Sequence, residues 1–218
     1  AISEFGPRSI IYHEGSRYIV NRVILPVRES EDGTLTRRAK ICSACGYLHP
    51  IAGSSDGPDR CQNCGVELPT GLSGMLRMQN VSTKRRDRIN CDEEERTRMG
   101  YDLVSTVRFA EKAGSRLEQR AVARSDSGDM ILSLSYGHAA TIWRINRGWR
   151  RRQKDSPLGF VLDMERGYWQ KNQDDEGDTD DPLSPRTERV IPFVEDRRNC
   201  LLITFPEGSS VVKHVEKW

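Results

Sequence analysis

Cys42-Ser43-Ala44-Cys45-Gly46 and Cys61-Gln62-Asn63-Cys64-Gly65 are two copies of one short pattern, their cysteine pairs separated by fifteen residues. Each C-x-x-C sits on a tight turn that points two sulfurs the same way. A glycine follows each pair, where the backbone must swing its amides toward sulfur. The loop between them is long enough to set one pair opposite the other, as in a zinc ribbon. Cys42, Cys45, Cys61 and Cys64 are therefore the expected ligands of one structural zinc. Two disulfides, or four reduced core cysteines, are the competing readings, and the regular spacing favours the metal. Four thiolates fill a tetrahedral shell and leave no position for water, so such a zinc holds structure and does no chemistry.

Outward from the cysteines, Val, Ile and Tyr recur in short runs broken by Gly, Asn and Pro, which favours strands. Ser9 to His13 and Arg17 to Leu25 read as a hairpin turning at Glu14-Gly15-Ser16. A strand over Arg37 to Ile41 leads into the first knuckle, and one over Gly74 to Asn80 leaves the second. Leu103 to Phe109, Arg116 to Arg124, Met130 to Tyr136 and Ala140 to Asn146 follow as an antiparallel meander. Its turns fall at Gly114, Asp126-Ser127-Gly128 and Gly137-His138. Gly159 to Met164 and Cys200 to Phe205 are further strands. Asp92 to Arg98 has the charge order of a short helix, and the acids of Asp174 to Asp181 read as a solvated loop. The expected fold is mainly β: an antiparallel, barrel-like body with an inserted four-cysteine ribbon and little helix. Residues 1–41 form the first part of the body, 42–73 the ribbon and 74–218 the second part.

The 218 residues are 36% apolar and 30% charged, with 34 basic against 32 acidic side chains and a net charge of +2. That sum says little about partners; the distribution says more. No run approaches the roughly 18 apolar residues of a membrane span, and no secretion signal is visible. Zinc-type cysteines without such a signal point to the reducing cytoplasm. Cys91 and Cys200 have no histidine nearby in sequence and read as incidental or buried residues. The chain opens on Ala1-Ile2-Ser3 without a methionine and is expected to be a piece of a larger protein.

Two basic stretches stand apart. One is Lys84-Arg85-Arg86-Asp87-Arg88, just before the acids Asp92 to Glu95. The other runs from Trp143 to Lys154 and holds Arg144, Arg147, Trp149, Arg150, Arg151 and Arg152. Guanidinium forks match phosphate geometry, and indole faces stack on unpaired bases. Arginine interleaved with tryptophan thus suits single-stranded or junction DNA, with Trp149 as the stacking candidate and Trp143 as core. The bland reading of either stretch is a solvated face paired to nearby acids. Enzyme signatures are absent: there is no phosphate-binding G-x-x-x-x-G-K-[ST] loop, and Ser135-Tyr136-Gly137 is not a nucleophile elbow. His49 could replace a cysteine ligand, but four thiolates already complete the shell, so it is expected to cap the loop. The chain itself is expected not to be a catalyst.

Several of these stretches occur together, in order, in one family. Ile11 to Tyr18, the paired C-x-x-C, Arg85 to Ile89 followed by Asp92 to Arg96, and Ile142 to Trp149 resemble the zinc-binding C-terminal region of bacterial superfamily-two DEAD/DEAH-box helicases. This is the MrfA-associated zinc-binding type, also found in the helicase of the DISARM phage-defence system. The resemblance implies RecA-like motor domains upstream in the same chain that bind and hydrolyse ATP, and Cys42, Cys45, Cys61 and Cys64 as the zinc ligands. It also implies a role in DNA repair or phage defence, guiding or bracing nucleic acid. The alternative is a docking module that recruits a partner subunit of such a complex.

Overall fold

The computed structural model describes residues 2–26, 35–86, 100–171 and 182–206. As expected, the fold is mainly β: no helix occurs among the described residues, and a curled, largely antiparallel sheet forms a half-barrel. In chain order the strands are β1 (Ile10–His13), β2 (Ser16–Ile24), β3 (Thr36–Ile41), β4 (Leu48–Ile51), β5 (Leu72–Arg77), β6 (Asn80–Arg86), β7 (Tyr101–Arg108), β8 (Glu111–Lys112), β9 (Ser115–Arg116), β10 (Gln119–Arg124), β11 (Met130–Trp149), β12 (Phe160–Asp163) and β13 (Thr187–Thr204). A three-stranded sheet has the order β1-β2-β6. The main sheet runs β10-β11-β13-β5-β3-β4, with β7 added on β11 and β12 on β13.

The first hairpin is as expected, turning through Glu14 and Gly15 at φ 46° and 71°, the pair of left-handed residues a two-residue hairpin needs. The strand expected over Gly74 to Asn80 is instead the end of β5 and the start of β6. The chain breaks at Met78, whose side chain is buried in the core and whose N–H bonds Phe193 O at 2.8 Å. There it leaves the main sheet and enters the three-stranded one.

A larger difference lies in the meander. Met130 to Tyr136 and Ala140 to Asn146 are one strand of 20 residues, and the turn expected at Gly137-His138 is a bulge. The bulge uses the same stretch: Ala139, next to His138, takes φ 57°, and a side chain on Gly137 would meet the Phe109 ring at 2.5 Å. The strand stays whole because β13 pairs with both halves, from Ser133↔Thr204 to Ile145↔Phe193. β13 itself begins at Thr187, well before Cys200. Its charged middle hides the alternation, and within it Glu195 is neutralised by partners from other strands. Glu195 accepts a bond from Trp143 Nε1 at 2.9 Å and pairs with Arg77 at 3.2 Å and Arg37 at 3.4 Å.

Three buried clusters hold the strands together. One packs Tyr101, Phe160, Leu162 and Trp169 with Leu76 and Val190. A second packs Trp143, Ile145 and Phe193 against Ala39 and Met75, which places Trp143 in the core as expected. Each such side chain contributes about 2 to 3 kcal/mol when fully buried. The third lies under the cysteines. β3, β4 and β5 belong to the main sheet, so the ribbon grows directly out of it.

Asp163 closes the end of β12. Its buried carboxylate accepts bonds from Ser184 N and Oγ (2.8 and 2.7 Å), Glu165 N (2.9 Å) and Arg166 N (3.0 Å). Burial alone would raise its pKa, but these donors hold it down to about 2. The short helix expected at Asp92 to Arg98, the acidic loop Asp174 to Asp181, Arg88 and Cys91 all lie outside the described residues.

Candidate metal centre and candidate nucleic-acid interface

The two cysteine turns are built alike. Gly46 N donates to Cys42 O at 2.9 Å and Cys42 N to Tyr47 O at 3.0 Å. Gly65 N donates to Cys61 O and Cys61 N to Val66 O, both at 2.8 Å. Both glycines take left-handed φ, 70° and 78°, which a side chain would strain. Asn63 N points at Cys61 Sγ, 3.3 Å away.

The four sulfurs lie within 4.8 Å of one another, with Cys42–Cys64 at 3.5 Å and Cys45–Cys61 at 3.6 Å. A tetrahedron with metal–sulfur bonds of about 2.3 Å has edges of about 3.8 Å, so the donors fit a four-thiolate metal site. All four cysteines are free, with no disulfide among them. Burial pushes the Cys45 and Cys64 thiols up from their ordinary value, so a cation's charge is what would keep them ionised. His49 takes no part in this group. It is buried edge-on to Tyr47, 5.4 Å between ring centres, with its pKa lowered by burial and then by Arg108. It lies buried inside the protein, within reach of Gln62 on the second knuckle.

Three arginines that the sequence did not single out fasten the second knuckle to the body. Arg108 donates to Gln62 Oε1 at 2.9 Å; Arg116 donates to Asn63 Oδ1 at 2.9 Å and Gln62 O at 3.0 Å; Arg120 donates to Asn63 Oδ1 at 3.0 Å. Glu118 binds Arg116 and Arg120 at 3.4 and 2.9 Å, and Glu111 binds Arg108. Arg108 and Arg116 also stand 5.7 Å from the centre of the buried Tyr47 ring. Tyr47 OH accepts from Phe109 N at 3.2 Å, and Val107 N donates to Gly46 O at 3.3 Å. Nothing in the spacing of these residues marks them, because their partners arrive only through the fold.

The second basic stretch is divided by its neighbours. Arg147 and Arg152 both bind Asp102, at 2.9 and 2.8 Å. Part burial opposes ionisation of that carboxyl, yet the two guanidiniums hold it below its ordinary value. Trp149 is half-buried and stacked on Tyr101 at 5.0 Å, with Phe160 edge-on at 5.4 Å, so one face of the indole is already taken. Arg144, Arg150 and Arg151 are exposed. Arg144 lies on β11, facing Ser105 and Val194 on the neighbouring strands. Arg150 and Arg151 lie in the turn that follows β11. Among the described residues none of these three has a charged partner.

In the first basic stretch, Lys84 and Arg85 lie on β6, opposite Ile19 and Tyr18, and Arg86 ends that strand opposite Arg17. No helix among the described residues is long and apolar enough to cross a membrane. The chain matches no family model, no curated protein and no solved structure.

Proposed function

We propose that this chain is the accessory zinc-binding domain of an ATP-dependent DNA helicase and holds a nucleic-acid strand by its phosphates. The metal is zinc, bound by Cys42, Cys45, Cys61 and Cys64. It stiffens the sheet end from which β3 and β5 emerge. ATP would be hydrolysed in the RecA-like domains that the family resemblance implies, and this module would brace the strand behind the motor.

The observation that carries the reading is the set Arg144, Arg150 and Arg151, exposed and without acidic partners among the described residues. With Trp149 stacked on Tyr101, base stacking is a smaller part than the sequence suggested, and phosphate binding the larger. Such binding is tolerant of sequence and steeply dependent on salt. Labelled single-stranded and duplex DNA should bind the metal-loaded chain with an affinity that falls as salt rises. The variant Arg144→Ala/Arg150→Ala/Arg151→Ala should flatten the single-strand salt slope by about 2, at roughly 0.7 for each phosphate no longer neutralised. An unchanged slope, or no binding by folded protein, overturns the proposal.

A further inference from the structure

Seven of the eleven exposed large apolar side chains among the described residues gather at one end of the main sheet, between Leu117 and Tyr136 and at Leu201 and Ile203; of these, Tyr136, Leu201 and Ile203 share one face, whereas Val122 and Ile131 alternate onto the other. There the sheet is three strands wide: β10, the first half of β11 and the end of β13. The pairings Gln119↔Tyr136↔Leu201 and Ala121↔Leu134↔Ile203 lay Tyr136, Leu201, Leu134 and Ile203 in two rows on one face, with Leu132 in the next row. None of these five side chains belongs to a buried cluster. On the opposite face Cys200 and Leu202 pack toward the ribbon cluster, while Val122 and Ile131 stay exposed nearer the tip.

The size of the bare face selects its occupant. Three strands about 4.8 Å apart and rows about 6.8 Å apart give roughly 300 Å². A stable dimer needs about 800 Å² from each partner. The face is close to what one helix, about 10 Å across and about 20 Å long, would cover. Charge sets a direction. Arg197 alternates onto the same face of β13 as Leu201, beyond one end of the rows. At the other end, the turn from Ser125 to Asp129 carries Asp126 and Asp129. A helix has a positive N-terminus and a negative C-terminus.

From this we infer that the tip of β10, β11 and β13 docks an amphipathic helix of a partner protein. The helix lies along β11, its N-terminus toward Asp126 and Asp129 and its C-terminus toward Arg197. The inference stands independently of the nucleic-acid reading.

The probe is a fluorescent synthetic helix of about 14 residues, leucines on one face and glutamates at its C-terminal turn. A control peptide carries lysines in place of those glutamates. Anisotropy should show the glutamate peptide binding the full chain, and binding about tenfold or more weaker to Leu201→Gln/Ile203→Gln. Both positions are about half exposed (52% and 47%), so this variant should keep its metal and melting temperature. Arg197→Glu should reverse the preference between the two peptides. Equal binding to wild type and the double variant, or no binding to any form of the chain, overturns the inference. Binding that appears only after residues 207–218 are removed overturns the partner in favour of the chain's own tail. A dimer in sedimentation that the double variant abolishes overturns it in favour of a second copy.

Discussion

The arginines beside the ribbon and those at the end of β11 are the same residue type with opposite surroundings. Arg108, Arg116 and Arg120 are each bound to a knuckle side chain or carbonyl, and each is paired with a carboxylate, Glu111 for Arg108 and a shared Glu118 for the other two. Arg150 and Arg151 project from a turn with no acidic partner among the described residues. The first group spends its hydrogen-bonding capacity on the fold, whereas the second is exposed to solvent. Arg147 and Arg152, tied to Asp102, show that one acidic residue is enough to move an arginine from the second group to the first.

The strongest test of this contrast removes the metal end. Cys42→Ser or Cys61→Ser should abolish one bound metal per chain by elemental analysis and cost several kcal/mol, on the order of a lost structural zinc. Calorimetry should show it as a lower or split transition. If either variant keeps metal and melting temperature, the four-thiolate site is wrong.

Arg116→Ala should cost about 1.5 to 3 kcal/mol, because it strips charge-assisted bonds from Gln62 and Asn63, and chemical denaturation will report it. Phosphate-backbone affinity should stay as it was. Next in size is Asp102→Ala, at about 1 to 2 kcal/mol, which releases Arg147 and Arg152 and should strengthen DNA binding. A variant that loses stability without gaining affinity would place that end of β11 away from the nucleic acid. The smallest effect on stability is expected for Arg150→Ala/Arg151→Ala, within about 0.5 kcal/mol, alongside a clear loss of DNA affinity.

Acid sharpens the same comparison. Asp102 and Asp163 both have pKa values below the ordinary 3.8, Asp163 at about 2. Each therefore contributes stability that is complete above the ordinary carboxylate pKa and is lost as pH falls through its own lowered value. Melting temperature between pH 5 and pH 2 should drop less steeply in Asp163→Asn than in wild type. An unchanged acid slope would mean that Asp163 titrates alike in the folded and unfolded chain.

Much of this was legible from residue order alone. The two C-x-x-C-Gly units are local, each closed by hydrogen bonds within a few residues, so their spacing suffices to read them. The hairpin at Glu14-Gly15 and the turn at Ser127-Gly128 are local for the same reason. Legibility ended where a distant strand set the outcome. Gly137-His138 reads as a turn, yet β13 pairs on both sides of the bulge and keeps β11 one strand. Glu195 and Arg197 lie before the strand expected from Cys200, yet inside what is one continuous strand.

By itself the sequence determined a mainly β chain with a four-cysteine clamp, because both follow from interactions between near neighbours. Only the tertiary structure decided which arginines have no acidic partner among the described residues, which face of Trp149 is occupied and which apolar side chains of the sheet stay exposed. A guanidinium or an indole is available to a ligand only when no folded neighbour has taken it, and those neighbours are far away along the chain.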